Sequence, residues 1–206
     1  MLTGVKFCGM ARECDKEAAN ELRPEYIGFV FWEKSKRYIT PDEARHLKAL
    51  LQGDIKAVGV FVDEDMNTIK GLSDKGIIDI IQLHGKEDDQ YIHMLRRETG
   101  RQIIKAFRVH SDDDIDKANR SIADYVLLDA GMGQGRSFDW NLIERIHRPY
   151  FLAGGLNCDN IEDAVSRLNP FAVDVSSGIE TEGKKDYAKM REFLSLVKGE
   201  ELLRNV

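Results

Sequence analysis

Short runs rich in Val, Ile, Leu and Phe alternate along the whole chain with longer stretches whose apolar positions recur every three to four residues. The first pattern marks buried strands and the second marks helices that cover them. The spacing predicts strands over 5–8, 26–31, 56–62, 78–82, 103–108, 125–129, 150–153 and 172–176, with helices between them over 15–22, 41–51, 65–75, 88–99, 112–119, 140–146, 160–168 and 187–197. Thr40 before Pro41 fixes one boundary, since a hydroxyl cap followed by a proline with no N–H to satisfy suits a first helical turn. The segment 112–124, DDDIDKANRSIAD, carries the sparsest apolar stripe and is the weakest unit.

Several strands are apolar at nearly every position, as expected of strands covered on both faces and not of a sandwich with one wet face. Strand and helix alternate eight times without a composition shift or a Pro/Ser-rich linker. This predicts α/β architecture with a parallel sheet, and eight regular units favour closure into a (β/α)8 TIM barrel over an open doubly wound sheet. The whole chain, 1–206, is expected to be one domain.

Composition narrows the function classes. With 42% apolar and 32% charged residues the chain lies in the range of folded globular proteins. The formal net charge is −6 and basic residues are interleaved with acidic ones, so the basic stripe that nucleic acid requires is missing. No apolar run reaches bilayer-spanning length, and the opening MLTGVKFCGM has neither a basic n-region nor a long apolar h-region. A cytoplasmic protein with no membrane partner is expected. Cys8, Cys14 and Cys158 include no C-x-x-C pair and signal neither a disulfide framework nor a zinc site. Without an obvious exposed apolar stripe, the expected state is a monomer.

In such a barrel the loops that follow the strands converge at one mouth, where catalytic side chains gather. Cys8 ends the first predicted strand, Arg37 follows the second, His84 the fourth, and Asp129 ends the sixth. The turns LAGGLN at 152–157 and DVSSGIE at 174–180 follow the seventh and eighth. Gly154, Gly155, Ser176, Ser177 and Gly178 there offer backbone N–H groups to an anion, with a helix N-terminus behind adding a favourable dipole, and a phosphate fits. Each glycine taken alone reads more readily as a tight-turn former; two such turns after the last two strands reverse this and favour the phosphate reading. Gly131, Gly133 and Gly135 in GMGQGRSFDW lack dinucleotide-fingerprint spacing and suit a loop that closes over substrate, or a plain connector.

Cys8 and Asp129 are the acid/base candidates. A thiol at a strand end is usually packing and an aspartate there is often a turn former; together they can serve as base and acid on either side of a sugar carbon. Lys34, Lys36 and Arg37 taken alone read more readily as a solvated loop; among them the arginine has the planar fork that grips a carboxylate. His84 can donate to substrate or satisfy a carbonyl, and His46, His93, His110 and His147 show no ligand spacing, so no metal site is expected.

The segments KFCGM, GFVFWEKSKRY, VGVFVDE, QLHG, LLDAGMGQGRSFDW, LAGGLNCDNI and DVSSGIETEGKKD, in this order along the chain, resemble the phosphoribosylanthranilate isomerase family. The resemblance implies an aldose–ketose Amadori rearrangement of N-(5-phosphoribosyl)anthranilate in tryptophan biosynthesis, with a phosphorylated small molecule as the only partner and no cofactor or metal. It implies Asp129 as general acid on the ring oxygen, Cys8 as the base that removes the C2′ proton, and Arg37 as the anthranilate carboxylate clamp. His84 and Asp174 are expected to touch substrate, and Gly155 with Ser176–Gly178 to hold its phosphate. The chain departs from the family's pattern at Lys36 (commonly proline), Met132 (a second glycine) and Gln134 (a small hydroxylated residue), which bears on loop closure and not on the reaction.

Three other readings compete. A related aminoaldose isomerase with two aspartates needs a carboxylate where Cys8 stands, and a metal-dependent epimerase needs paired His and Asp ligands that the chain lacks. A phosphosugar-binding protein without activity would not be expected to keep both Cys8 and Asp129.

Overall fold

A computed structural model describes residues 3–129 and 140–199. Eight parallel strands close into a barrel in sequence order: β1 (Gly4–Cys8), β2 (Tyr26–Val30), β3 (Lys56–Phe61), β4 (Ile80–Leu83), β5 (Gln102–Arg108), β6 (Tyr125–Asp129), β7 (Tyr150–Ala153) and β8 (Ala172–Val175). Helices α1 (Glu13–Leu22), α2 (Pro41–Ala49), α3 (Met66–Asp74), α4 (Asp89–Thr99), α5 (Asp112–Arg120), α6 (Trp140–Ile143), α7 (Ile161–Leu168) and α8 (Tyr187–Lys198) follow the strands. The expected barrel is therefore present, with each element within a few residues of its predicted bounds.

The differences have local causes. Helix α2 starts where Thr40 and Pro41 predict: the Thr40 hydroxyl accepts from the Glu43 backbone N–H, and the Glu43 carboxylate returns a bond to the Thr40 N–H. It ends before Leu50, which is exposed and outside the core stripe. The sparse segment 112–119 does form α5. Only Ile115 and Ala118 are buried there, but Asp112, Asp113 and Asp114 occupy the positive end of the helix dipole, with Lys117 and Arg120 at its negative end. The 140–146 helix is shorter than predicted and stops at Ile143.

A feature without a sequence prediction follows β8. Glu180–Thr181 (β9) and Lys184–Lys185 (β10) pair antiparallel around Glu182 and Gly183, both at positive φ. Two consecutive left-handed residues are what a two-residue hairpin turn needs.

Side-chain parity along the strands divides the core. Residues such as Val5, Phe7, Ile81, Ile103, Val126 and Val173 face outward onto the helices. Val58, Ile80, Ile104, Leu127, Phe151 and Ala172 face inward. Toward the N-terminal ends of the strands the interior is closed by aromatic contacts, with Phe151 edge-on to Tyr26 at 5.3 Å and Tyr125 stacked on Phe171 at 4.9 Å. Toward the C-terminal ends the inward positions become polar: Lys6 and Cys8 on β1, Gln82 on β4, Arg108 and Asp129 on adjoining β5 and β6, and Asp174 on β8. An apolar plug below and polar side chains above gather the polar cluster at the C-terminal end of the barrel axis.

Candidate active site

A cavity of about 460 Å³ opens at that end. Cys8, Arg37, His84, Asp129, Gly154, Gly155, Asp174, Ser176 and Ser177 all line it, so residues from six separate stretches of sequence share one mouth. Trp32 stands in the loop after β2 and Val30, Val60 and Val62 supply an apolar wall. Gly131, Gly133 and Gly135, like Met132 and Gln134, lie outside the described residues. A second cavity of about 440 Å³ lies between residues 23–26 and 52–56 at the opposite end of the strands. It contains no thiol, and the aromatic plug separates it from the first.

Register positions the two acid/base candidates. Cys8 pairs with Gly28 on β2, and Asp129 pairs with Ala153 on β7, next to the glycine turn. Burial pushes the Cys8 thiol above its ordinary range, against the opposing pull of the Lys6 and Lys185 ammonium groups. Beside Asp129 stands His84, with Nε2 3.7 Å from Asp129 Oδ2. The Gln82 amide nitrogen is 3.2 Å from His84 Nδ1. With Nδ1 accepting from Gln82, Nε2 is the proton-bearing side, and it faces the cavity and Asp129. Gln82 Oε1 is buried and has no hydrogen-bond partner among the described residues.

Arg37 is not a loose surface cation. Its Nε and Nη2 donate to the two carboxylate oxygens of Glu180 at 2.6 and 2.8 Å, and Lys185 Nζ adds a third bond to Glu180 at 2.6 Å. Burial disfavours the charged form of Glu180, but the hydrogen bonds from Arg37 and Lys185 outweigh it and hold the carboxyl down at about 2. Lys185 in turn donates to the Ser176 carbonyl and hydroxyl. The hairpin thus braces both the arginine and the last turn.

The two glycine turns are built differently. Gly154 and Gly155 adopt φ of 93° and 71°, which a side chain resists. Gly178 is required by contact: it bridges to Asn157 of the other turn, and a Cβ there would lie 1.9 Å from the Leu156 carbonyl oxygen. The turns are therefore packed backbone to backbone into one cradle. The Ser176 hydroxyl donates to the Cys8 carbonyl at 2.9 Å and fastens this cradle to the end of β1. A helix does follow the first turn, where α7 begins at Ile161, but the expected helix N-terminus behind the second turn is replaced by the β9–β10 hairpin. Any dipole assistance to an anion comes from α7 alone.

Asp174, expected at substrate, accepts from Lys6 Nζ at 2.8 Å, and the Lys6 side chain is wholly buried. Lys6, Glu180 and Lys185 are absent from the candidates that the sequence suggests. Taken together Lys6, Arg37 and Lys185 outnumber the carboxylates of Asp174 and Glu180, which leaves this side of the mouth cationic. Among the described residues no group of three His, Cys, Asp or Glu side chains is arranged to hold a metal ion.

Comparison with known proteins places this geometry in context. The family model described as N-(5'phosphoribosyl)anthranilate (PRA) isomerase matches residues 5–195. The N-(5'-phosphoribosyl)anthranilate isomerase of Clostridium acetobutylicum is 43% identical over 203 residues, covering 94% of this chain and 97% of that protein. The crystal structure of phosphoribosyl anthranilate isomerase from Thermotoga maritima superposes with a TM-score of 0.87 at 35% identity, over 96% of this chain and all of the other. A phosphoribosyl anthranilate isomerase crystallised with reduced 1-(o-carboxyphenylamino)-1-deoxyribulose 5-phosphate gives 0.84 at 34% identity, over 96% of this chain and 100% of that one.

Proposed function

The chain belongs to the N-(5'-phosphoribosyl)anthranilate isomerase family, and from that premise we propose how its mouth residues divide the Amadori rearrangement among them. The reaction converts N-(5-phosphoribosyl)anthranilate to 1-(2-carboxyphenylamino)-1-deoxyribulose 5-phosphate in tryptophan biosynthesis. It moves a proton from C2′ and opens a ring, so it needs an acid and a base on one sugar and grips for a phosphate and a carboxylate at its two ends. The observation that carries the reading is the convergence of Cys8, Asp129, Arg37, Gly154, Gly155, Ser176 and Ser177 on one cavity of about 460 Å³.

Asp129 gives a proton to the furanose ring oxygen, and the ring opens to an iminium. Cys8 then removes the C2′ proton, and the resulting enolamine tautomerises to the ketone. His84 Nε2, on the Asp129 side, donates to a sugar oxygen near the acid. Gly154, Gly155, Ser176, Ser177 and Gly178 hold the phosphate in the cradle, and Arg37 turns its remaining N–H donors to the anthranilate carboxylate, with the aromatic ring against the apolar wall of Val30, Val60 and Trp32. Asp174 bounds the sugar from the β8 side. Gly131, Gly133 and Gly135 are assigned to the substrate loop. Acid, base and grips are all side chains or backbone of this chain, so the reaction is written without cofactor or metal.

The family match from residue 5 to 195 and the closed barrel support reading 1–206 as one domain. Among the described residues no helix is long and apolar enough to cross a membrane. Cys8, Cys14 and Cys158 are all free thiols, which suits the reducing cytoplasm. Among the described residues the large exposed apolar side chains, Trp32, Leu50, Ile122 and Tyr187, come from separate parts of the chain, which supports a monomer. The functional test is steady-state turnover of phosphoribosylanthranilate generated in situ and followed by loss of its fluorescence. Turnover by the natural sequence is expected; none from a folded protein overturns the reading in favour of a related phosphosugar isomerase or a binding protein.

A further inference from the structure

Lys6 is wholly buried, and the chemistry assigned above does not use it. An ammonium taken fully out of water is costly unless it is paired and directed. The ion pair with Asp174 cannot alone explain why a charge is placed there, because an apolar pair would fill the same space more cheaply. Parity supplies the explanation. Lys6 and Cys8 are two residues apart on β1, so both face into the barrel. They also converge in space, since a Cβ on Gly28 would lie 2.8 Å from Cys8 Sγ and 3.1 Å from Lys6 Nζ. The residue opposite Cys8 has no side chain, and sulfur and ammonium occupy that gap.

We infer that the Lys6–Asp174 pair is a positioning device for Cys8, with Lys6 the fixed counter-ion of the sulfur when it gives up its proton and Asp174 the group that holds that ammonium charged and aimed. The inference rests on reading Cys8 as the base. A thiol in a dry cavity ionises only against a nearby positive charge. The other charged groups around Cys8 do not replace Lys6. Arg37, from the loop after β2, and Lys185, from β10, are both committed to Glu180. Across the cavity, Asp129 and His84 stand on the side where the ring oxygen is protonated. Of the cations that oppose the effect of burial on the thiol, Lys6 contributes most.

Such a role is read on the sulfur itself, apart from turnover. In a Cys14→Ser/Cys158→Ser background the only thiol is Cys8, and its ionisation is followed by thiolate ultraviolet absorbance against pH, with Cys8→Ser as the blank. Lys6→Gln keeps reach and hydrogen bonding but removes the charge. It is expected to move the Cys8 midpoint up by about one unit or more, a tenfold loss of thiolate at fixed pH, and to carry the corresponding limb of the kcat profile with it while KM changes less. Because the single variant leaves Asp174 unpaired and can unfold, Lys6→Gln/Asp174→Asn supplies a neutral pair; its midpoint is expected to rise too, by less. An unmoved midpoint in either variant, once folded, overturns the inference. Retained turnover in Cys8→Ser would instead overturn the base assignment, and the absorbance shift would still stand.

Discussion

Arg37 and Glu180 meet as two planar forks, with two parallel hydrogen bonds at 2.6 and 2.8 Å joining the loop after β2 to the hairpin after β8. A guanidinium held this way has its plane fixed before substrate arrives, which lowers the ordering that binding a second carboxylate requires. Glu180→Gln should therefore raise KM by roughly tenfold, about 1.4 kcal/mol, with a smaller effect on kcat, because the carboxylate grip is used alike in ground and transition states. Steady-state kinetics beside Arg37→Lys checks this. A fall in kcat at unchanged KM would show that the fork serves the chemical step.

The same pair has a pH signature in stability. Glu180 ionises at about 2 in the folded chain against an ordinary value of 4.5. A depressed carboxyl stabilises the fold fully above its unfolded value, and that contribution is lost as pH falls toward the folded value. Between about pH 5 and pH 2 the natural chain should lose stability more steeply than Glu180→Gln, whose curve lacks this component. Chemical denaturation across that range would show the two curves converging at the acid end.

Replacing Cys8 by serine or Asp129 by asparagine should each lower kcat by about 10² to 10⁴ while leaving the fold intact. Each change is nearly isosteric, so circular dichroism should not distinguish the variants from the natural chain. The kcat/KM profile reports free-enzyme ionisations. Burial raises the Cys8 thiol, so the limb on which the base becomes active should rise with pH and lie alkaline of an ordinary thiol. That limb should disappear in Cys8→Ser. A limb that persists there belongs to another group.

Where an element depends on a long apolar rhythm, the sequence was enough to place it. The strands at Tyr125–Asp129 and Tyr150–Ala153 match their predicted bounds residue for residue, because each is an apolar run closed by a loop. The nine candidates that line the cavity were legible for the same reason, since the C-terminal end of a strand is a position that periodicity gives. Lys6 was missed because a lysine inside a strand reads as an interruption of an apolar run; only its parity with Cys8 marks it as inward-facing. Glu180 and Lys185 were missed because two-residue strands are too short for any periodicity, although Glu182 followed by Gly183 is a turn signal. The pairing of Asp174 with Lys6 joins residues 168 positions apart, and no local pattern encodes that.

The cradle formed by the two glycine turns gives the last expectation, because these turns depend on one close contact. A Cβ on Gly178 would sit 1.9 Å from the Leu156 carbonyl oxygen, which is backbone and cannot rotate away, so Gly178→Ala must push the 154–157 and 176–178 segments apart. Forcing a methyl into such a contact costs about 2 kcal/mol, equivalent to a Tm lower by roughly 4–8 °C for a chain of this size. If these turns hold the phosphate, their separation should also weaken inhibition by inorganic phosphate, and KM for substrate should rise in parallel. Ser177→Ala lines the same cavity without that backbone contact and should leave Tm nearly unchanged. Differential scanning calorimetry with phosphate inhibition of both variants separates the two effects. A lower Tm in Gly178→Ala with undiminished phosphate inhibition would mean that the contact only supports the fold, and that the phosphate is held elsewhere.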